Sequence, residues 1–233
     1  MGLMGKWVGW VILVVGLCTR LEASTHEGRK GYELPMNCRK LECPPYEVIE
    51  SKNEFEIRSY RDAMWVSTSP INSTSYKNAT AKGFDILFSY IQGNNNQAAK
   101  MNMTAPVLVN ILPSKSRGPF SFSNSSSFVV HFYIPKKYQK DPPIPSSPQA
   151  HPVKLPQKHN NNKYLIAAVR RFGGYMDDSN IPTQALALKK SLMGTIYESQ
   201  ASREIVPYSV ASYNSPFESK NHVNEVMFWF DKN

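Results

Sequence analysis

The chain has few cysteines and histidines and none of the short motifs that mark common catalytic sites. Its three cysteines and five histidines show no metal-ligand spacing. No glycine-rich phosphate loop, Gly-x-Ser-x-Gly elbow or His-Glu-x-x-His sequence occurs. Lysine and arginine outnumber aspartate and glutamate by 27 to 18, but they are scattered and form no nucleic-acid-binding motif. The sequence therefore argues against a metalloenzyme, a common hydrolase and a nucleic-acid-binding protein.

Long apolar runs are also missing, except for one near the N-terminus. Trp7 through Leu17 is apolar apart from glycine, and Ala23 offers a small residue for cleavage. This run is shorter than the ~20 apolar residues that a membrane-spanning helix needs. We therefore predict a signal peptide over residues 1–23, with an uncleaved membrane anchor as the alternative because Leu21 is poorly suited to cleavage. Cleavage would leave no stable membrane span and an extracellular or vacuolar protein.

Two cysteines remain after residue 23. Cys38 and Cys43 lie in a polar, proline-containing leader, residues 24–45, which we expect to be extended. A single cysteine pair in an oxidising compartment predicts a disulfide that pins the leader. A redox role is the alternative, but the spacing is not Cys-x-x-Cys.

Asn-x-Ser/Thr sequons also fit a secreted chain. The candidate glycosylation sites are Asn72, Asn78 and Asn124. Asn102 also begins a sequon, but it lies in an apolar strand pattern and we expect it to stay bare.

Alternating and helical patterns divide the rest of the chain into two similar halves. Strands are predicted at 46–50, 55–60, 63–68, 100–112, 128–134, 164–172, 208–213 and 225–230, and helices at 73–92 and 182–198. The second helix should bury Ala185, Leu188, Leu192 and Ile196. Residues 140–163, rich in proline and asparagine, are predicted to be a long exposed loop containing His151 and His159.

This element order predicts an α+β fold. Two helices cannot provide crossovers for about eight strands, so the strands should pair antiparallel. They cannot cover both faces of such a sheet either, so it should curl into a distorted barrel with the helices outside.

The first predicted helix carries two apolar stripes. The stripe that should pack on the sheet consists of Gly83, Leu87, Tyr90 and Ile91. The second stripe, on an adjoining face, consists of Lys77, Ala81, Phe84 and Phe88. It either meets further core or forms the aromatic wall of a ligand cleft topped by a lysine, and the sequence leaves both open.

Glu225 opens an otherwise apolar strand and is the strongest candidate for a catalytic carboxylate. If partly buried, it could act as an acid or base with a raised pKa. The alternative, which we favour, is a strand-end ion pair with Arg170 or Arg171.

Short motifs from Tyr46 to the C-terminus, roughly four-fifths of the chain, resemble the SOUL haem-binding family. They are Tyr46-Glu-Val, Glu56-Ile-Arg-Ser-Tyr60, Gly83-Phe84, Tyr90-Ile-Gln-Gly93, Lys100-Met-Asn-Met-Thr-Ala-Pro-Val107, Phe132-Tyr-Ile-Pro-Lys-Lys137, Phe172-Gly-Gly-Tyr175, Tyr213-Asn-Ser-Pro-Phe217 and Asn224-Glu-Val226. The resemblance places the family domain at residues 46–233. The leader and the Cys38/Cys43 pair resemble a plant branch of the family.

The resemblance implies a curled antiparallel sheet with two helices and pseudo-twofold halves. It also implies non-catalytic binding of haem or another porphyrin in a cleft beside the first helix. Two family methionine positions fall on Phe84 and Phe88, whose rings can stack on a macrocycle. The family's basic positions that could meet the haem propionates fall on Ala81 and Glu218 in this chain. Lys77, one turn earlier on the helix, would have to meet a propionate instead. The implied binding residues are Lys77, Ala81, Phe84, Phe88 and Phe217.

No residue is expected to bind a metal outright. His131 is a weak axial candidate that we expect to be a hydrogen-bonded strand histidine. The expected partner is a tetrapyrrole, with no nucleic acid, and the expected state is a monomer. Two alternatives are a small-molecule hydrolase that uses Glu225 and a protein-interaction module that docks through Phe84 and Phe88.

Overall fold

Ten antiparallel strands form one curled sheet in the part of the chain that the structure describes. The structure, a computed structural model, describes residues 31–113, 120–123, 126–155, 164–202, 206–215, 217–218 and 220–231. The strands are β1 (Tyr46–Ser51), β2 (Glu56–Arg61), β3 (Ala63–Thr68), β4 (Ile71–Asn72), β5 (Val107–Leu112), β6 (Ser127–Tyr133), β7 (Ala150–Leu155), β8 (Tyr164–Phe172), β9 (Tyr208–Ser212) and β10 (Asn224–Asp231). The helices are α1 (Tyr76–Ile91), α2 (Asn180–Ser191) and the short α3 (Glu198–Ala201).

The sheet is an open half-barrel. Its strand order is β1-β2-β8-β10-β9-β5-β6-β3-β7, with β4 paired to β6. The terminal strands β1 and β7 do not pair with each other in this order, so the sheet is curled without being closed. The predicted antiparallel α+β fold is confirmed.

Strand alternation gives the sheet two different faces. Val226 and Phe228 of β10 pack on the convex side in the core that also contains Leu87 of α1 and Leu188 of α2. Met227 points the other way, into a second, smaller cluster on the concave side. Both helices therefore cover one face, and the concave face has a separate interior.

Helix α1 lies close against strand β6. Gly83 permits this, because a Cβ there would lie 2.3 Å from Cγ2 of Val130. The helix begins three residues later than predicted, since Ser75 is the capping residue and accepts from the Asn78 amide at 3.4 Å. Gly93, with φ of +109°, follows its C-terminal end as predicted.

The second helix is shorter than predicted. It ends at Ser191, and Gly194 with φ of +72° follows in the turn. Ile196, which the helical pattern assigned to the core, is therefore 87% exposed. Its predicted stripe partners Ala185, Leu188 and Leu192 are fully buried.

Two further strand predictions need correction. The exposed loop predicted at 140–163 contains β7, which pairs with β3. Pro152 is tolerated in β7 because this strand lies at the sheet edge, where a missing N–H donor breaks no further ladder. Residues 100–106 do not belong to β5, which begins at Val107 after Pro106.

The described part of the leader, residues 31–45, lies across the concave face. It contains a short 3₁₀ turn, Met36–Arg39, rather than being extended throughout. The side chain of Asn37 donates to the Tyr213 carbonyl at 2.7 Å. Cys38 and Cys43 form the predicted disulfide and pack against the concave cluster. The leader therefore closes one side of the curled sheet.

None of the described helices is both long and apolar enough to cross a membrane. The predicted signal peptide, residues 1–23, lies outside the described residues and stays a prediction.

Candidate ligand-binding surfaces

The outward stripe of α1, here called the helix face, consists of Lys77, Ala81, Phe84 and Phe88. Lys77 and Ala81 are exposed, Phe84 is half-buried, and Phe88 is 42% exposed. The rings of Phe84 and Phe88 stack with centroids 5.5 Å apart and planes 16° apart. Phe84 also meets Phe132 of β6 edge-on at 5.2 Å. Phe84 is therefore partly core, as one interpretation required, whereas Phe88 presents apolar surface to solvent.

Phe217 lies in the loop between β9 and β10, where it is 95% exposed. Two contacts connect this loop to α1 indirectly, through the segment that follows β8. The ring of His222 lies 4.6 Å from that of Tyr175, and the Tyr76 hydroxyl of α1 donates to Sδ of Met176 at 3.2 Å. These contacts do not bring Phe217 itself to the helix face.

The charges near Phe217 agree with the expected departure from the family pattern. Glu218 accepts from Asn214 at 2.7 Å and from Asn37 at 3.2 Å. The hydrogen bond from Asn214 is the main cause that lowers the pKa of Glu218 below its ordinary value. An anionic side chain here would repel a propionate. Lys77 has no ion-pair partner among the described residues, so its ammonium remains available.

Glu225 does not form the acid–base site that its sequence context allowed. Its carboxylate is fully buried and accepts from Arg58 Nη1 and Nη2 at 3.0 and 2.9 Å, and from Arg171 Nη2 at 2.7 Å. The Tyr213 hydroxyl donates to it at 2.9 Å. The predicted pair with Arg171 is confirmed, and the alternative with Arg170 is wrong.

Burial and pairing have opposite effects on the pKa of Glu225. Burial by itself raises it, but the charge and hydrogen bonds of Arg58, followed by those of Arg171, outweigh burial and lower the pKa below 4.5. The group is thus held as a carboxylate and cannot act as an acid at neutral pH. Its pairing satisfies the buried charge.

Arg58 is the centre of this cluster and was not identified from the sequence. Its side chain is fully buried, and its Nε donates to Glu56 at 2.7 Å. The guanidinium also lies over the rings of Tyr46, at 4.1 Å, and of Tyr32 in the leader, at 5.7 Å. The two-residue alternation of Glu56-Ile-Arg-Ser-Tyr60 was the available signal, since it places Glu56, Arg58 and Tyr60 on one face.

His131 lies on the concave face and is buried. Its Nδ1 is 2.5 Å from Oγ of Ser67, and its Nε2 has no partner among the described residues. Burial, with a smaller contribution from His151, lowers the pKa of His131 to about 3, so the imidazole is neutral. It is on the opposite side of the sheet from the helix face and cannot ligate a guest there. No group of three or more metal-ligating side chains occurs within the described ranges.

A cavity of about 520 Å³, here called the concave cavity, lies inside the curl of the sheet. Its aromatic and apolar lining includes Tyr60, Trp65, Tyr213, Trp229, Leu108 and Met227. None of the five binding residues implied by the resemblance lines it. The sequence patterns predicted that most of these side chains lie on strands. They could not predict that β2, β3, β9 and β10 surround one cavity.

The sequons fall on exposed positions where the structure describes them. Asn72 and Asn78 are exposed, as expected. Asn102 is also exposed, because residues 100–106 precede β5 rather than belonging to it; the apolar strand assigned there was wrong. Asn124 lies outside the described residues.

Comparisons with known proteins identify the family of the chain. A family model described as SOUL heme-binding protein matches residues 41–229. Heme-binding protein 2 of Homo sapiens is 33% identical over 184 residues, 78% of this chain and 80% of the human protein. Heme-binding protein 1 of Xenopus laevis is 29% identical over 180 residues, 77% of this chain and 84% of the frog protein. A crystal structure of a hydrolase from Listeria innocua covers 85% of this chain and 98% of its own with 9% identity and a TM-score of 0.46, which is too distant to bear on activity.

Proposed function

Because the chain belongs to the SOUL heme-binding protein family, we propose that it is a non-catalytic binder of haem or another tetrapyrrole, held on the helix face. The observation that carries the site is the stacked pair of Phe84 and Phe88, whose outer ring is 42% exposed. A planar macrocycle can cover this ring while Lys77 meets one of its carboxylates.

The helix face fits the organic part of a tetrapyrrole better than its iron. Its four residues offer no imidazole, thiolate or thioether, and His131 faces the other side of the sheet. The affinity for a tetrapyrrole should therefore come from ring stacking and from the charge of Lys77. The iron of haem would supply redox and ligand chemistry to the complex but would not strengthen binding. Metal-free protoporphyrin should bind about as tightly as haemin.

The contribution of Phe88 can be worked out from its exposure. A phenylalanine has a surface of roughly 200 Å². The exposed 42% is then about 80 Å², and covering it at about 25 cal/mol per Å² contributes about 2 kcal/mol. Phe88→Ala should thus weaken binding by about 30-fold. Absorbance titration with haemin and fluorescence titration with protoporphyrin measure the change.

Leu186→Ala is the matched control. Leu186 lies on α2 and is 40% exposed, so the variant removes a similar exposed side chain from the other helix. Equal affinities for the two variants would reject the helix face as the binding site. An unchanged Soret band at micromolar haemin in the wild type would reject tetrapyrrole binding itself.

Lys77 gives a second, independent check on orientation. An exposed charge pair contributes about 0.2–1 kcal/mol, so Lys77→Ala should weaken protoporphyrin binding by roughly 1.4- to fivefold. The dimethyl ester of protoporphyrin carries no carboxylate and should bind both proteins equally. A similar loss for both ligands would show that Lys77 acts through packing instead.

The ionised and fully paired carboxylate of Glu225 supports the non-catalytic part of this proposal. A carboxylate held by Arg58, Arg171 and Tyr213 has no free lone pair for a substrate proton and no proton to give. Turnover of an ester or lactone that Glu225→Gln abolishes in a folded protein would overturn this part.

We also propose that the chain follows the secretory pathway. The disulfide between Cys38 and Cys43 and the exposed sequons at Asn72 and Asn78 support this. N-terminal sequencing and N-glycosidase treatment of the native protein test it. An intact residue 1 with no change in mass after N-glycosidase would refute it.

A further inference from the structure

The concave cavity has the dimensions and lining of a small-molecule site. Its volume of about 520 Å³ lies within the range of about 300–1,000 Å³ typical of ligand pockets. Its lining includes the rings of Tyr60, Trp65, Tyr213 and Trp229. It lies on the other face of the sheet from Phe88, so it is spatially separate from the helix face.

The polar groups of three of these aromatic residues already make hydrogen bonds with other protein groups. The Tyr213 hydroxyl donates to Glu225 at 2.9 Å, and the Tyr60 hydroxyl accepts from Arg58 at 3.3 Å. The indole N–H of Trp229 donates to Oγ of Ser209 at 2.7 Å. These residues therefore offer ring surface to a guest, and their hydrogen-bonding groups are directed into the protein.

Asn110 is a polar residue of the lining that has protons left over. Because Ser209 Oγ accepts from Trp229, its own proton goes to Oδ1 of Asn110, 2.6 Å away. This fixes the amide orientation and turns the Asn110 NH₂ group away from Ser209. No described residue accepts from that NH₂ group, and Asn110 is half-buried in the lining. The cavity thus contains a positioned hydrogen-bond donor.

The charge of the lining limits the guest further. Arg61 is the one permanently charged side chain among the described lining residues, and it is 69% exposed and paired with Glu47 at 3.3 Å. A carboxylate inside the cavity would lose its hydration without gaining a counter-ion. The interior therefore disfavours a dicarboxylate such as haem.

We infer that the concave cavity is a second binding site, specific for a small, neutral aromatic molecule that presents a carbonyl-type acceptor to the amide of Asn110. The ring system of the guest stacks among Tyr60, Trp65 and Trp229. This site is independent of the tetrapyrrole proposal, since it uses the opposite face of the sheet.

A matched pair of fluorescent probes tests the inference. The first is 6-propionyl-2-dimethylaminonaphthalene, a neutral aromatic ketone. The second is 2-dimethylaminonaphthalene, which lacks the carbonyl. The ketone should bind with a blue-shifted emission, sensitised by excitation of Trp65 and Trp229. Asn110→Leu should weaken ketone binding by roughly three- to tenfold, as expected for one hydrogen bond, and leave binding of the second probe unchanged.

Two further variants separate this site from the helix face. Phe88→Ala should leave both probe affinities unchanged, and Asn110→Leu should leave haemin binding unchanged. Ala211→Phe, which adds a ring to the buried lining, should abolish probe binding in protein whose circular dichroism is native. Should that variant not fold, Asn110→Leu, at a half-buried position, decides the question.

The inference is overturned by any of three results. These are no saturable ketone binding, an equal effect of Asn110→Leu on both probes, or displacement of the ketone by stoichiometric haemin that Phe88→Ala prevents. The third result would place both ligands on the helix face. Failure of the haemin titration alone would reject the tetrapyrrole proposal and leave the concave cavity unaffected.

Discussion

Replacing Glu225 by glutamine tests how much the buried charge cluster contributes to stability. The carboxylate accepts five hydrogen bonds, two from Arg58, two from Arg171 and one from Tyr213. Glutamine has nearly the same shape but lacks the charge and replaces one acceptor oxygen with a donor. Arg58, whose side chain is fully buried, would keep only Glu56 as a charged partner. Breaking a buried ion pair in this way costs about 3–5 kcal/mol.

Urea denaturation followed by tryptophan fluorescence and circular dichroism measures this loss. A 3–5 kcal/mol change corresponds to a decrease in Tm of roughly 6–20 °C for a domain of this size. Glu47→Gln is the matched control, because Glu47 pairs with Arg61 on the surface, where such pairs contribute about 0.2–1 kcal/mol. If Glu225→Gln lowers the free energy of unfolding by less than 1 kcal/mol, or no more than the control, the cluster is not the stabilising element described.

The same variant makes a prediction about pH. Since Arg58 and Arg171 outweigh burial and lower the pKa of Glu225, the pairing stabilises the fold above the ordinary value of 4.5 and is lost as the pH falls below it. The stability difference between wild type and Glu225→Gln should therefore narrow below about pH 4.5. A difference that stays constant down to the acid transition would contradict this sign.

Three other substitutions have effects that the structure predicts. Burial lowers the pKa of His131 from 6.5 to about 3. As the pH falls, His131 is therefore protonated in the unfolded chain before it is protonated in the folded protein. Acidification from pH 7.5 to pH 5 should then lower the free energy of unfolding by about 2 kcal/mol. Urea midpoints at the two pH values measure this loss, and His131→Gln should remove it. Gly83→Ala puts a methyl group 2.3 Å from Cγ2 and 2.8 Å from Cβ of Val130 and should cost about 1–3 kcal/mol. The measured loss should show in the urea midpoint, and an unchanged midpoint would contradict the close approach of α1 to β6. Replacing both Cys38 and Cys43 with serine opens the short disulfide ring and should lower the free energy of unfolding by about 2 kcal/mol. A reductant should cause the same loss in the wild type and none in the serine variant.

Local patterns were sufficient where a segment's structure depends on its own residues. The strands predicted at 63–68 and 164–172 have the bounds that the structure gives them, because a short apolar run favours a buried strand from its own residues. The four residues predicted to pack α1 on the sheet are all buried. Predictions failed where a tertiary contact decides the conformation. Residues 150–155 form a strand only because the edge of β3 is available, although their proline and polar side chains indicated a loop.

The sequence by itself determined which side chains share a face of α1 and of each strand. It therefore determined that Phe84 and Phe88 lie on one face of α1 and that Glu56, Arg58 and Tyr60 point the same way. Only the tertiary structure decided what those faces meet. Arg58 reaches Glu225, 167 residues away, because β2, β8 and β10 are neighbours in the sheet. The concave cavity likewise exists because the sheet curls and brings strands from both halves around one space. Periodicity along a chain fixes the direction of a side chain, but its partner depends on strand order and register, which arise from the packing of the whole molecule.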